Sequence, residues 1–312
     1  MKNIKEIGYE HKEYLRINYY VTTQCPYACR YCPDNLHNGK NREINLQDLE
    51  TFLNRFRDRE VSVGLTGGEC SVHPQFKEIV ELIKSLGMKV AVDSNSVRTA
   101  RFYESTGDLV DNWNISLHPS QHTLDLEKIS VLTDKSFVVV FVIMDPAYWD
   151  LSLDWFDQIS NLPNLKVTPA PITYWGAGST KVEYTSEQRE QLSKLESKFT
   201  FTRKRMEELQ KTHQWLLRGK SLVTYTDGSA EEFDSFKLVR EDRNSFLGWE
   251  CWAGNYSLVI NDDCSAGWAN CGIRNYKHFL DMYPEDIEKS VICNIEKCNC
   301  SLDIRALKRS PN

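Results

Sequence analysis

Short apolar runs alternate with amphipathic stretches through the first half of the chain. Six runs are rich in β-branched and aromatic residues, and apolar positions at helical spacing fill the stretches between them. The predicted strands are residues 15–23, 61–66, 89–93, 113–117, 137–144 and 165–172. This alternation predicts an α/β fold, in which a parallel sheet covered by helices closes naturally as an open or partial barrel.

The predicted helices carry end signals. Asn45 can cap a helix with apolar positions 46, 49, 52, 53 and 56, and Gly87 can end a helix at 74–86. Further helices are predicted at 124–132, 149–159 and 185–217, the last with a break near 199–202. Functional motifs should lie at the C-terminal ends of the strands, where such barrels carry their sites.

The pattern changes after residue 219. A strand with a tight Asp-Gly turn is predicted at 222–229, and another strand at 256–260 leads to a hairpin tip near Cys264. We therefore predict two domains, a barrel domain at 1–218 and a small β-hairpin and helix domain at 219–312.

Composition describes an ordinary globular protein. Of 312 residues, 41% are hydrophobic and 26% are charged, and the net charge of −6 does not favour a polyanion partner such as nucleic acid. The charged N-terminus is unlike a signal peptide, and no segment is apolar enough to cross a bilayer. We therefore expect a cytoplasmic protein with no membrane partner.

Ten cysteines in such a compartment indicate metal or redox chemistry instead of a disulfide framework. Three occur together at Cys25, Cys29 and Cys32, while Cys70 stands alone. The other six crowd into the last 62 residues: Cys251, Cys264, Cys271, Cys293, Cys298 and Cys300. This placement indicates two separate iron–sulfur centres.

The first group, Cys25-Pro-Tyr-Ala-Cys29-Arg-Tyr-Cys32, closes the first predicted strand with Cys-x3-Cys-x2-Cys spacing. A loop this tight can direct three thiolates to one cubane cluster and leave the fourth iron open for chemistry. The alternatives are a zinc site, which usually pairs two Cys-x2-Cys arms, and a disulfide, which needs an oxidising compartment.

This stretch, with Tyr31 just before the last cysteine, resembles the signature of the radical SAM superfamily. The resemblance implies a partial, TIM-like (β/α)6 barrel and a [4Fe-4S] cluster held by the three cysteines. In that family the open iron chelates S-adenosylmethionine, and one electron cleaves this cofactor to a 5′-deoxyadenosyl radical. It also implies an electron donor such as flavodoxin or ferredoxin.

Gly67-Gly68-Glu69 ends the second predicted strand and resembles the family element that holds the methionine amino group. Glycines allow close backbone approach, and a carboxylate can accept from an ammonium that would otherwise be buried unpaired. A simple strand-ending turn is the alternative.

Further S-adenosylmethionine contacts are expected from three polar residues that end strands and from one tyrosine. Ser94, Asn95 and Ser116 are candidates for the ribose hydroxyls, each with a satisfied turn or core residue as the alternative. Tyr31 is expected to meet the adenine.

Two residues are candidate catalytic groups. Cys70 could donate a hydrogen atom to a substrate radical, or it could pack as a small apolar side chain. His118 lies where a substrate would enter and could act in acid–base chemistry or only orient neighbours. A segment at 174–178 could form a substrate lid or pack in the core.

The C-terminal cysteines resemble the auxiliary-cluster appendages called twitch and SPASM domains. The likeness implies one auxiliary [4Fe-4S] cluster, because the Cys-x2-Cys-x5-Cys-x3-Cys end of a full SPASM tail is missing. Cys251 and Cys271 are the expected ligands, with two of Cys293, Cys298 and Cys300, while Cys264 is a bystander. A structural zinc ribbon is the alternative.

These features together predict an enzyme that abstracts a hydrogen atom from a small-molecule substrate, in an oxidation assisted by the auxiliary cluster. Because only 24 residues precede Cys25, we expect no fused leader-binding domain, which favours a small molecule over a peptide. Two alternatives stay open: a peptide maturase that makes a crosslink or epimer, and a non-catalytic zinc or cluster-binding protein.

Overall fold

The structure is a computed structural model that describes residues 3–8, 13–32, 36–37, 39–172, 182–201, 220–234, 238, 243–298 and 300–311. The segment at 174–178, expected to form a lid or core contact, lies outside these residues. Each helix within the described ranges is too short or too polar to span a membrane.

The described strands form two sheets. They are β1 (Ile4–Ile7), β2 (Tyr14–Thr22), β3 (Glu60–Gly67), β4 (Lys89–Ser94), β5 (Asn112–Leu117), β6 (Phe137–Met144), β7 (Leu165–Pro171), β8 (Lys198–Phe199), β9 (Lys220–Tyr225), β10 (Ala230–Asp234), β11 (Glu250–Cys251), β12 (Ser257–Ile260), β13 (Ala266–Trp268), β14 (Asn275–Tyr276), β15 (Val291–Ile292) and β16 (Lys308–Arg309). The α-helices are α1 (Leu46–Asn54), α2 (Phe76–Ser85), α3 (Ala100–Thr106), α4 (Leu126–Thr133), α5 (Trp149–Ser160), α6 (Ser186–Lys194), α7 (Ala253–Tyr256), α8 (Pro284–Ile287) and α9 (Ser301–Ile304).

The larger sheet is built on the six predicted strands. Strands β2 to β7 lie side by side in chain order and pair in parallel, as consecutive β/α units do. At one edge β8 pairs antiparallel with β7, and at the other side of β2 the parallel β12 continues into the antiparallel β13 and β14. The α/β fold is confirmed, and the sheet is mixed where a parallel one was expected.

Side chains alternate between the two faces of this sheet. On β2, Leu15 and Ile17 are fully buried in the main core, whereas Arg16 and Asn18 occupy the other face and hydrogen-bond to each other. The helices cover the apolar face. Helix α2, for example, contributes Ile79 to the same core. The opposite face of the larger sheet, which we call the inner face, thus carries polar groups on β2.

Local signals set the ends of several helices. The Asn45 side chain accepts hydrogen bonds from the backbone of Gln47 and Asp48, so the predicted cap of α1 is confirmed. Gly87 follows α2 with a φ of +75°, a conformation in which glycine costs little. The short α3 was not predicted; the Thr99 hydroxyl caps it.

The helix predicted at 185–217 is shorter in its described part. Helix α6 ends at Lys194, before the expected break, and β8 follows it on the edge of β7. Thr200 fixes this edge, because its backbone amide and its hydroxyl both bond to Leu165. Pairing with a distant strand thus overrides the helical spacing, and residues 202–217 lie outside the described residues.

The smaller sheet joins the two ends of the chain. Its strand order is β10-β9-β1-β16-β11-β15, and the neighbouring strands in this order pair antiparallel. The N-terminal β1 therefore lies between two C-terminal strands, while β12 to β14 extend the larger sheet. Strand pairing crosses the boundary predicted at 218/219 in both directions, and the division into two domains stays a prediction.

Both predicted turns of the C-terminal region are found. Gly228 has a φ of +83° in the turn between β9 and β10. Cys264 has a φ of +67° between β12 and β13, so it occupies the hairpin position where glycine would be common.

We expect Trp113→Ala to lower the free energy of unfolding by about 3–5 kcal/mol, because it removes a large, fully buried side chain. The Trp113 ring packs against Phe76 and Tyr103, with centroids 6.3 and 5.4 Å away. Urea denaturation of the apo chain measures the change. Tyr148→Ala, at a side chain that is 43% exposed, should change it by about 0.5 kcal/mol or less; equal losses in the two variants would contradict this packing.

Candidate functional site

The loop after β2 carries Cys25, Cys29 and Cys32 and lies at the C-terminal ends of the parallel strands. Its contacts come from the ends of other strands: Asn95 after β4 donates from Nδ2 to the Cys25 sulfur at 3.3 Å. His118 directly follows β5, and its Nδ1 lies 3.5 Å from the Cys29 sulfur. The structure therefore brings together residues that the sequence places at separate strand ends, as expected for this type of sheet.

The three sulfurs differ in their surroundings. Cys29 is buried, while Cys25 and Cys32 are half-buried. Burial raises the pKa of Cys29 to about 12, the Tyr31 hydroxyl opposes this shift, and the negative charges of Cys32 and Cys25 add to it. The three thiols thus act on one another, and deprotonating all of them is unfavourable until a cation compensates them.

Hydrogen-bond donors point at Cys25 in particular. Besides Asn95, the backbone amide of Tyr27 donates to the Cys25 sulfur at 3.4 Å. Burial raises the pKa of the Cys25 thiol, these two donors lower it, and Glu69 raises it. Three thiolate donors with amide N–H groups aimed at sulfur match the chemistry of an iron–sulfur cluster. In the described part of the chain, no three or more His, Cys, Asp or Glu side chains lie so that they could hold one metal ion together.

Two contacts that the sequence did not indicate anchor the cysteine loop. The Arg30 guanidinium donates to Asp145 Oδ1 at 2.5 Å, and the backbone amide of Ala28 donates to Gln121 Oε1 at 3.0 Å. Asp145 is fully buried and also accepts from the Ala147 amide. Its position directly after the apolar β6 was the available signal, since it matches the strand-end positions of the other site residues.

Gly67 and Gly68 bring the end of β3 against the cysteine loop. Gly67 has a φ of +126°, and a Cβ there would lie 2.1 Å from the Thr22 carbonyl oxygen. A Cβ on Gly68 would lie 2.3 Å from the Gln24 carbonyl oxygen. The close approach that needs glycine is therefore made to the backbone of this chain; contact with a methionine amino group stays a prediction.

Glu69 is 1% exposed, and its carboxylate bonds to its own chain. Oε1 accepts from the Ser71 amide and hydroxyl, at 3.2 and 2.5 Å, and Oε2 accepts from the Asn95 amide at 2.6 Å. Burial raises the pKa of Glu69, while these hydrogen bonds partly oppose the shift. The carboxylate thus links the end of β3 to Asn95, which itself contacts Cys25.

The three ribose candidates have different environments. Ser94 is buried, with its hydroxyl 3.3 Å from that of Tyr103, which is the satisfied core position weighed as the alternative. The Asn95 side chain donates from Nδ2 to the Cys25 sulfur and accepts at Oδ1 from the Val97 amide. Ser116 is half-buried on the inner face, and within the described residues its hydroxyl makes no hydrogen bond. Among the described residues, Ser116 is therefore the ribose candidate whose hydroxyl has no hydrogen-bond partner.

Tyr31 and His118 form a neutral pair beside Cys29. Burial lowers the pKa of His118 to about 4, with a smaller contribution from His122. The neutral ring can accept at Nδ1 from the Tyr31 hydroxyl, 2.7 Å away, and the two rings stack with centroids 6.1 Å apart. Of the two roles weighed for His118, this contact supports the orienting one. His122, which stacks on Tyr27, continues the aromatic layer.

Cys70 is fully buried in the main core. Its sulfur contacts the carbonyl oxygens of Leu65 and Asp93 at 3.5 and 3.4 Å. These contacts match the packing role weighed for this residue, and hydrogen-atom donation stays a prediction.

Four C-terminal cysteines come together in a second, smaller core. Cys251, Cys293 and Cys298 are buried there, and the half-buried Cys271 packs against them. Burial raises the pKa of Cys298, and Cys271 and Cys251 are among the groups that raise it further. Burial also raises the pKa of Cys251, and among the other thiols Cys293 raises it further. We call these four residues the cysteine quartet.

Cys300 and Cys264 face other surroundings. The Asn270 side chain donates to the Cys300 sulfur at 3.4 Å, and Cys300 also acts on Tyr20 of β2, whose pKa is raised by burial and then by Cys300 and Asp93. Cys264 packs against the main core instead, with Asp263 among its neighbours. Both cysteines therefore have neighbours outside the quartet.

Comparison with known protein families gives a match over the first site. The family model described as the radical SAM superfamily matches residues 19–132, which include the first cysteine loop and Gly67-Gly68-Glu69. The radical SAM resemblance is confirmed for that region. The match does not extend to the C-terminal cysteines, and no curated protein matches the chain significantly in sequence.

Solved structures share the fold at low sequence identity. SuiB of Streptococcus suis bound to S-adenosylmethionine is 14% identical, with a TM-score of 0.52 over 88% of this chain and 65% of SuiB. SuiB bound to precursor peptide SuiA gives 13% and 0.53 over 89% and 65%. Native anSMEcpe with bound AdoMet and Cp18Cys peptide gives 11% and 0.53 over 88% and 80%. The chain thus spans slightly less than two thirds of SuiB.

We expect Gly67→Ala to destabilise the first site far more than Gly87→Ala does. Both glycines have positive φ, but a Cβ at Gly87 meets nothing within 4 Å, whereas one at Gly67 meets the Thr22 backbone at 2.1 Å. Gly87→Ala should cost only the strain of its φ, about 1 kcal/mol. Urea denaturation compares the two variants, and similar losses would show that the close approach to Thr22 is unimportant.

Proposed function

We propose that this protein is a radical SAM enzyme. The observation that carries the proposal is the three-cysteine loop at the strand ends, within the region matched at 19–132, with two hydrogen-bond donors aimed at the Cys25 sulfur. Cys25, Cys29 and Cys32 would hold a [4Fe-4S] cluster. When bound, that cluster supplies the electron that cleaves S-adenosylmethionine, and a protein such as flavodoxin or ferredoxin would deliver it. The six parallel strands support the partial (β/α)6 barrel of this family.

The surrounding residues bind and orient in this proposal. Asn95 holds the Cys25 sulfur with its side chain and the Glu69 carboxylate with its amide, so one residue couples the cysteine loop to Gly67-Gly68-Glu69. Ser116 offers an uncommitted hydroxyl to the ribose. The Tyr31 ring, fixed by His118, would lie against the adenine.

The quartet of Cys251, Cys271, Cys293 and Cys298 would hold one auxiliary [4Fe-4S] cluster, in a twitch or SPASM-like role. Mutual proximity of four thiols supports full ligation by protein and leaves Cys300 out of the ligand set. The loop at 243–249 fixes two of these ligands: the Cys293 amide donates to Trp249 and the Cys298 amide to Asn244, at 2.7 and 2.9 Å. A fully ligated cluster suits electron transfer better than substrate binding.

The reaction in this proposal is an oxidation. Abstraction of a hydrogen atom leaves a substrate radical, which becomes the oxidised product by losing one electron and one proton. The electron would pass to the auxiliary cluster. The proton would pass to Asp93, whose exposed carboxylate lies on the inner face and accepts from Asn114 Nδ2 at 2.8 Å.

Two substrate classes fit the proposal. A small molecule is the first, as the sequence favours, and a peptide is the second. The second is favoured by the two matched structures with bound peptides, SuiA on SuiB and Cp18Cys on anSMEcpe. A polar inner face such as the one formed by Asn18, Asp93 and Asn114 can hydrogen-bond to either class.

We expect Cys29→Ala to lower the iron content of the reconstituted chain by about four atoms and to abolish cleavage of S-adenosylmethionine. The measurement is 5′-deoxyadenosine released on adding dithionite and S-adenosylmethionine without air. Cys264→Ala, at a thiol outside both groups, is the control and should keep both properties. Full iron and full cleavage in Cys29→Ala, or zinc in place of iron, would overturn the proposed function.

The auxiliary ligands can be tested in a chain that carries Cys25→Ala, Cys29→Ala and Cys32→Ala. In this background we expect about four iron atoms per chain, lost on adding Cys298→Ala and retained on adding Cys300→Ala. The reason is that Cys298 lies in the quartet and Cys300 does not. Iron lost through Cys300→Ala and retained in Cys298→Ala would contradict the assignment.

A further inference from the structure

Lys308 lies inside the core that contains the quartet. It is on β16, directly across from Cys251 of β11 in the antiparallel register, and it is 2% exposed. A lysine is almost never fully buried unless its ammonium is paired. Its neighbour Arg309 shows the contrast, because Arg309 is exposed and pairs with Glu6 at 2.7 Å.

The hydrogen bonds of Lys308 go to uncharged acceptors. Nζ donates to the carbonyl oxygens of Asp303 and Ala306 at 2.5 and 3.1 Å, and it lies 5.3 Å from the centre of the Phe246 ring. These contacts fix the position of the ammonium, but they supply no countercharge. A buried cation needs one, because desolvation costs several kcal/mol.

The sulfurs of a ligating quartet can supply this countercharge, because of where Lys308 lies. Residues directly opposite in an antiparallel pair place their side chains on the same face, so the Lys308 side chain extends on the side of Cys251. Cys251 and Cys298 are buried in the core that also contains Phe246, the ring that the ammonium faces.

Asp303 has a different task in the same core. It is 2% exposed, and its carboxylate accepts from the Asn270 amide at 3.0 Å and from Asn270 Nδ2 at 3.3 Å. These bonds hold the turn that carries Cys271. The carboxylate is thus engaged in positioning a ligand, and it contributes a negative charge near the sulfurs that opposes the effect of Lys308.

We propose that Lys308 is a fixed countercharge that raises the reduction potential of the auxiliary cluster held by the quartet. The inference rests on the proposed function, which supplies that cluster. One-electron reduction adds a negative charge to a site with four thiolates, and a buried ammonium beside Cys251 stabilises the reduced state more than the oxidised one. A higher potential makes the cluster a better acceptor for the electron of a substrate radical. Lys308 is therefore a positioning residue that acts through the cluster.

The test uses the full-length chain with Cys25→Ala, Cys29→Ala and Cys32→Ala, which leaves the quartet as the cluster site. The measurements are iron and sulfide content and the midpoint potential, from a dithionite titration followed by electron paramagnetic resonance. Adding Lys308→Met should keep the iron and shift the potential to a more negative value. Adding Asp303→Asn, which keeps an acceptor oxygen and removes a negative charge, should shift it to a more positive value.

Arg309→Met is the matched control, because it removes a positive charge from the same strand at a solvent-screened position and should leave the potential unchanged. Equal potentials in the parent and in Lys308→Met, with iron retained, would overturn the role of Lys308 and leave the auxiliary cluster standing. If Lys308→Met fails to load iron, Lys308→Arg and Asp303→Asn decide. The proposal is supported if Lys308→Arg loads iron with a potential like that of the parent and Asp303→Asn shifts the potential to a more positive value. Any other pair of results overturns it. Absence of iron from the parent itself would overturn both the auxiliary cluster and this inference.

Discussion

Strand β2 pairs in parallel with β3 on one side and with β12 on the other, and both cysteine groups depend on this pairing. The first cysteine loop leaves the C-terminal end of β2. Strand β12 lies in the chain between Cys251 and Cys271, two members of the quartet. Because backbone hydrogen bonds fix the register between strands, they also fix how the two groups are positioned relative to each other. The close contacts of Gly67 with Thr22 and of Gly68 with Gln24 also hold the end of β3 against the end of β2 and the start of its loop.

The two cysteine groups differ in the charges around them. The donors that lower the pKa of Cys25 are the uncharged Tyr27 amide and Asn95 side chain, and Tyr31 does the same for Cys29. In the quartet a buried ammonium, that of Lys308, acts on three of the four thiols. In a buried site a full charge has a larger effect than a dipole. The two groups of thiols therefore lie in different electrostatic environments.

Groups from distant parts of the chain meet at the inner face of the larger sheet. The pKa of Tyr20 on β2 is raised by burial and then by Cys300, by Asp93 at the end of β4, and by Asp303. A substrate bound beside Tyr20 would therefore lie near side chains of both the larger sheet and the C-terminal region. The exposed Asp93 carboxylate and the Ser116 hydroxyl, which bonds to no other described residue, are polar groups that such a substrate would meet.

The sequence alone determined the order of the β/α units, the cap at Asn45, the turn at Gly228 and the hairpin position of Cys264, because hydrophobic period and turn chemistry act over a few residues. It also identified the Cys25 to Cys32 loop and the radical SAM resemblance. Only the tertiary structure brought β1 between β9 and β16, paired Arg30 with Asp145, and turned Gly67 and Gly68 toward the backbone of β2 and its loop. It also grouped Cys293 and Cys298 with Cys251 and Cys271 in one core. Each of these depends on contacts between residues far apart in the chain, and no local pattern encodes which distant backbone or charge a side chain will meet.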